Sequence, residues 1–190
     1  MIASPVVIGV LLALAVAGAK PEYRFVREDI RISLKDGFAT IEGNYFMSAP
    51  GPTPFGIYYP FPDDVIPEDI TVQEVAVSSG TQIVPHQTLR EEHGLRIALP
   101  PRPQDHLLLE VTYRQRLREN SLRYVLRTTR SWERPLEDAS FILRWPDSLG
   151  APRSTLPFKI LRRAERWALM RFEAKQFLPD TDLVVTWNRR

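Results

Sequence analysis

The 190-residue sequence contains no cysteine. That absence excludes disulfide frameworks, thiolate zinc sites, iron–sulfur clusters, cysteine nucleophiles and lipidation on cysteine in one step. Histidine is nearly as scarce, and His86, His93 and His106 show no His-x-x-x-His or other ligand spacing. The sequence has no Gly-x-Ser-x-Gly elbow, Walker loop or Gly-x-Gly-x-x-Gly run, so the usual nucleophile and nucleotide signatures are missing. A Ser–His–Asp site or a glycosidase carboxylate pair would have to be assembled from distant strands, and nothing in the sequence points to either. No catalytic residue, metal or cofactor is expected.

Met1 to Ala19 carries no charged side chain. An apolar stretch, Val6 to Val16, ends in Ala17-Gly18-Ala19, which matches a secretory signal cleaved after Ala19. The run is short for a membrane span, which needs roughly 20 apolar residues. No Lys or Arg precedes it, so an uncleaved N-terminal anchor is the rival reading. Either way residues 20–190 are expected outside the cytoplasm, in the periplasm or the extracellular space. No second apolar run of comparable length occurs, so no other membrane span is expected.

With 44% hydrophobic and 25% charged residues, the composition is that of an ordinary globular protein, and residues 20–190 suit one domain. From Tyr23 onward apolar residues alternate with period two, without sustained helical periodicity. Ile30, Ile32 and Leu34 alternate with polar neighbours, Asp36-Gly37 makes a tight turn, and Ala39, Ile41, Gly43 and Tyr45 return. Further strands are expected at 55–61, 70–77, 82–89, 95–99, 139–145, 158–163, 166–172 and 183–187. A long hairpin, 106–117 against 121–132, is expected to turn at Glu119-Asn120. Short strands at regular spacing predict an all-β fold, an antiparallel β-sandwich of about eleven strands, with a distorted barrel as the alternative.

Net charge is only +2 but unevenly spread: residues 1–100 hold 7 basic and 12 acidic side chains, residues 101–190 hold 18 and 11. Arginine supplies 21 of the 25 cations; it keeps its charge on burial and pairs bidentately with carboxylates and phosphates, although a codon bias would produce the same excess. In the expected hairpin Arg116 faces Arg123, and Arg114, Arg116, Arg118, Arg123 and Arg127 share one face. The opposite face is apolar except for Gln115. Like charges directly opposite on a sheet destabilise it, so something acidic should lie across them. One candidate is the same chain, around Glu133, Glu137 and Asp138. The other is an acidic protein, an anionic glycan or a lipid surface, met by the arginine face with Trp132 and Arg134 at its end. Nucleic acid fits poorly, since net charge is small and basic–aromatic interleaving is absent.

Phe55, Ile57, Tyr59 and Phe61 share one face of a strand, with Tyr58 on the other. They read as a core strand, or else as an aromatic platform for sugar rings. Trp145, Trp167 and Trp187 fall inside strand patterns and read as core or half-buried. Asp63, Asp64, Glu68 and Asp69 bracket one loop whose spacing matches no calcium-loop pattern. The function expected is an exported, non-catalytic interaction module. A carbohydrate-binding or carbohydrate-active protein using exposed aromatics is the alternative, and self-assembly along sheet edges is a third possibility.

The segment from Glu28-Asp29-Ile30 through Asp36-Gly37-Phe38 and Asn44-Tyr45-Phe46 to Tyr58-Tyr59-Pro60-Phe61-Pro62 resembles a style of exported bacterial β-sandwich domain. It is distantly similar to the start of vault-protein/inter-α-trypsin-type (VIT) domains. The resemblance covers about residues 28–62. It implies a sandwich and an interaction role, and carries over no catalytic residue.

Overall fold

The computed structural model describes residues 24–48, 55–100, 106–127 and 134–188. The N-terminal segment expected to be a signal lies outside them, as do Trp132 and Glu133. Among the described residues fourteen strands form, more than the eleven expected: β1 (Arg24–Lys35), β2 (Phe38–Ser48), β3 (Phe55–Pro60), β4 (Ile70–Ser79), β5 (Gln82–Ile83), β6 (Gln87–Glu91), β7 (Gly94–Leu99), β8 (His106–Arg116), β9 (Ser121–Tyr124), β10 (Leu136–Pro146), β11 (Arg153–Ser154), β12 (Lys159–Ala164), β13 (Trp167–Phe177) and β14 (Leu183–Thr186). The expected strand at 82–89 splits into β5 and β6, which enter different sheets. The loop at 146–157 hides a short 3-10 turn and β11.

Eight strands make one sheet in the order β12-β13-β10-β1-β2-β8-β4-β5; β11-β14-β9 and β3-β7-β6 make two smaller ones. None closes into a barrel, which removes that alternative. Nor is the pairing wholly antiparallel, because β1 runs parallel to β10.

Period-two patterning places the core. Ile30, Ile32 and Leu34 of β1, Ala39, Ile41, Tyr45 and Met47 of β2, and Leu107, Leu109, Val111 and Tyr113 of β8 are all buried. β1 and β2 are joined as expected by Asp36-Gly37, with φ 52° and 78°, the doubly left-handed backbone a two-residue turn requires. Both small sheets pack on the inner face of the large one. Tyr59 of β3 meets Tyr45 with ring centroids 5.5 Å apart, and Phe61 meets Tyr113 at 5.0 Å. Tyr124 of β9 meets Phe141 at 6.3 Å, and Trp145 meets Trp187 at 5.4 Å.

The expected hairpin of 106–117 with 121–132 does not form. β8 pairs with β2 and β4, whereas β9 pairs with β14, so Arg116 and Arg123 are not cross-strand partners. Residues 117–120 carry the chain from one layer to the other. Leu117 N–H donates to Gly37 O at 2.8 Å in the large sheet, and Trp187 N–H donates to Asn120 O at 3.1 Å beside the small one. The partners waiting in each layer satisfy the backbone groups that a hairpin would have paired with each other.

Candidate functional site

The layer crossing builds a site. β8 ends at Gln115 and Arg116, residues 117–120 cross, and β9 opens with Ser121. The loop between β3 and β4, ending in the 3-10 turn Pro67–Asp69, contributes Asp64 and Asp69. Between them lies a cavity of about 320 Å³ whose lining includes Gln115, Arg116, Arg118, Arg123, Asp64 and Asp69. Leu117, Leu122, Val65 and Ile66 supply apolar wall.

Most of these charges are spoken for. Arg118 grips the buried Asp69 with two nitrogens: Nε donates to Oδ2, and Nη2 to Oδ1 at 3.0 Å. This fork holds the Asp69 carboxyl below the usual carboxylate range, helped by the nearby charge of Arg116. Arg123 Nη1 donates to Asp64 Oδ2 at 3.0 Å, and its Nε lies 3.8 Å from Asp182 Oδ2. Asp182 is buried at the start of β14 and accepts from Leu126 N–H at 3.1 Å and Arg127 N–H at 3.2 Å. Arg127 Nη2 adds an ion pair at 3.3 Å. Burial works against the Asp182 charge, but these backbone donors and Arg127 outweigh it and keep its pKa low.

Three polar groups are left over. Gln115 is 3% exposed, and its Oε1 meets no donor among the described residues. Arg123 Nε likewise meets no acceptor at hydrogen-bond distance there. Arg116 makes no hydrogen bond or ion pair among the described residues. A buried amide oxygen without a donor is costly; Gln115 belongs to the cavity lining, but this oxygen is sealed from solvent.

The structure therefore brings Arg116, Arg118 and Arg123 together, though not in the register expected. Arg114 shares the outer face of β8 with Arg116 but lies outside the cavity lining, with its guanidinium 4.2 Å from the Phe38 ring centre. Arg127 serves Asp182, and Arg134 is exposed ahead of β10, away from the cavity lining. Trp132 lies outside the described residues. Of the same-chain acids expected to face the arginines, Glu133 lies outside the described residues and Glu137 pairs with Arg24 at 2.7 Å; Arg118, Arg123 and Arg127 meet Asp64, Asp69 and Asp182. Asp64 and Asp69 thus point to two different arginines. Among the described residues no three His, Asp or Glu side chains come together as a metal ion would need.

The aromatic strand is a core strand. Ile57, Tyr59 and Phe61 are buried and Phe55 half-buried, which leaves Tyr58 exposed with its hydroxyl donating to His93 O at 2.9 Å. Other arginines cover aromatic rings, Arg27 over Phe46 and Arg90 over Phe61, which accounts for part of the arginine excess. A wider groove of about 530 Å³ on the other face of the large sheet is lined by Arg27, Asp29, Arg171 and Glu173. There Arg27 pairs with Asp29 and Arg171 with Glu173, so its charges largely cancel.

Sequence reasoning missed one cluster. Tyr45 Oη lies 2.9 Å from Tyr59 Oη and 2.5 Å from Tyr124 Oη, joining all three sheets through one hydrogen-bonded knot. Beside it the carboxyl of Glu28 is 4% exposed, and its Oε1 has no donor among the described residues. Burial, with a smaller push from Asp29, raises its pKa to about 8. The signal was present, since Glu28 stands in phase with Ile30, Ile32 and Leu34.

No family model matches the chain, and no curated protein matches it. Solved structures do. A Legionella pneumophila protein provisionally assigned to nutrient binding matches over 88% of this chain and 67% of its own, at 16% identity and TM-score 0.60. A two-domain M1 zinc metallopeptidase bound to L-tryptophan matches over 86% of this chain at 13% identity and TM-score 0.53. The M1 zinc metallopeptidase from Deinococcus radiodurans matches over 86% at 15% identity and TM-score 0.52. The likeness is one of fold. This chain spans 42% of each peptidase's length.

Proposed function

We propose that the chain is an exported, non-catalytic β-sandwich module, a single domain after its N-terminal segment, that binds an acid-bearing partner through the cavity at the β8–β9 crossing. One observation carries this reading: Arg116 lines that cavity with no hydrogen bond or ion pair of its own among the described residues, its charge felt only at a distance by Asp69, while its neighbours Arg118 and Arg123 are held in place by Asp69 and Asp64. Arg116 is exposed and keeps its charge at any working pH, so a partner's carboxylate can meet it as a bidentate ion pair. The uncharged stretch from Met1 to Ala19 supports export. The resemblance of residues 28–62 to VIT-type domains, and the Legionella protein's provisional assignment to nutrient binding, both agree with holding a ligand rather than transforming it.

The test is direct titration of the protein with three acidic probes: polyglutamate, polygalacturonate and vesicles of anionic lipid. Wild type should bind at least one of them, and Arg116→Glu should abolish that binding with an unchanged melting curve. If none of the three binds, or if binding survives the charge reversal, the reading is wrong.

A further inference from the structure

We infer, resting on the acid-binding reading above, that the partner is a flexible chain of linked phosphates, held at Arg116 and laid across the outer face of the large sheet over Arg114, Arg144 and Arg162. Strand register puts these arginines in line. Arg162 on β12 is level with Leu169 on β13 and Arg144 on β10, and then with Ser33, Thr40 and Arg114 on β1, β2 and β8. Arg116 follows beyond Arg114 on the same face. All four arginines are exposed, and their guanidinium groups make no hydrogen bond or ion pair among the described residues. The row holds no acid, and Ser33 and Thr40 add hydroxyl donors between the arginines. The neighbouring row carries Glu42 and Glu74, but also Arg31, directly opposite Glu42, and Lys159.

Aromatic rings already position three of the four. Arg144 and Arg162 lie over the Trp167 ring, 5.1 and 5.9 Å from its centre, and Arg114 lies 4.2 Å from the centre of Phe38. Stacking uses the flat face of a guanidinium and leaves its N–H edge for an oxyanion, so binding has less side-chain freedom to remove. The shape of the row selects the chain. With strands ~4.8 Å apart, Arg162 stands about 10 Å from Arg144, Arg144 about 14 Å from Arg114, and Arg116 about 7 Å further on. Such uneven spacing suits a chain charged at every short repeat, which needs no register. A sheet twists by roughly 20° per strand, so from β12 to β8 the row turns by about 100°. A flexible chain follows that turn and a flat lipid surface does not. Nucleic acid brings bases that seek open ring faces, and here guanidinium groups cover the rings. An acidic peptide brings backbone N–H donors for which arginine offers no acceptor, whereas linked phosphates bring acceptors alone.

Titration of the whole protein with long-chain inorganic polyphosphate and with polyglycerol phosphate tests this, with triphosphate, polyglutamate, polygalacturonate and single-stranded DNA as comparators. At least one phosphate chain should bind, the tighter of the two naming the source. Triphosphate, too short to leave Arg116, should bind at least tenfold more weakly. Four contacts give log affinity against log salt a slope of about −3, roughly 0.7 per contact. Arg144→Gln combined with Arg162→Gln should weaken binding at least tenfold and make the slope shallower by about 1.4, with an unchanged melting curve. Lys175→Gln, which removes an exposed cation of the same face far from the row, should change neither. Phosphate-chain binding that ignores the double variant, or that Lys175→Gln weakens equally, overturns the row; if Arg116→Glu still abolishes it, the acid-binding cavity stands. Polyglutamate, polygalacturonate or DNA bound more tightly than both phosphate chains overturns the choice of phosphate and leaves the acid-binding module in place. If no acid binds at all, both fall together.

Discussion

Raising the pH from 4.5 to 8 should destabilise the fold, and one side chain sets the amount. Glu28 sits on the inner face of β1, opposite Tyr45 on β2 and Ala139 on β10, where burial lifts its pKa from 4.5 to about 8. In the folded protein it therefore keeps its proton up to about pH 8, whereas the unfolded chain releases it near 4.5. Between those values the folded state holds one proton more than the unfolded state. Unfolding free energy then falls by about 1.4 kcal/mol per pH unit. The contribution is complete below pH 4.5 and lost by about pH 8, amounting to about 5 kcal/mol. That is comparable to the whole stability of many small domains. Tyr45, Tyr59, Tyr113 and Tyr124 are pushed above their ordinary range by burial, so none of them titrates in this window. Glu28→Gln keeps the shape and abolishes the titration. Urea unfolding, followed by tryptophan fluorescence at half-unit pH steps, measures both proteins. The variant's advantage over wild type should grow steadily with pH, by about 5 kcal/mol in all. A difference that stays flat from pH 4.5 to 8 would refute a protonated Glu28 in the core.

Two further perturbations probe the same architecture. A Cβ at Gly43 would overlap the Tyr45 ring, whose Cζ would lie 2.7 Å away, so Gly43→Ala should displace Tyr45 from its hydroxyl partners. Overpacking of this kind costs about 1–3 kcal/mol; thermal melting checks it, and an unchanged melting temperature would show that the tyrosine knot is slack. Asp182→Ala removes the acceptor for Leu126 N–H and the counter-ion of Arg127. It should cost about 1–3 kcal/mol and raise hydrogen exchange at Leu126 above that of Tyr124. Equal exchange in both proteins would show that Asp182 does not hold this segment.

Strands, faces and the first turn were legible because alternation reports burial directly. Ile57 and Tyr59 face inward and Tyr58 outward as their spacing requires. What alternation does not report is which strand lies alongside. Leu109 to Tyr113 and Leu122 to Leu126 present apolar residues on every second position whether they fold back on each other or cross between layers. The arginines were accordingly assigned a wrong register, yet three of them still converged, because the chain must pass through residues 117–120 in either arrangement. Long-range partners were hidden for the same reason. No local pattern links Arg118 to Asp69 or Arg123 to Asp182. The two polar residues that break the buried phase, Glu28 and Gln115, were visible in the sequence, and both mark unpartnered groups in the structure.

The central place of β1 governs the order in which the molecule is assembled. Its first edge is closed at once by β2 through a two-residue turn, but its second edge waits for β10, and the Arg24–Glu137 ion pair across that seam joins residues 113 positions apart. A chain emerging from its N-terminus therefore carries a bare strand edge until more than half its length has followed. Closing so long a loop adds little to the equilibrium cost but slows the search, and folds dominated by such pairings take milliseconds to seconds. Throughout that interval β1 is a template for any other extended chain. The alternating charges Arg27, Asp29 and Arg31 along its outer face guard against like-for-like stacking while the rightful neighbour is still being made.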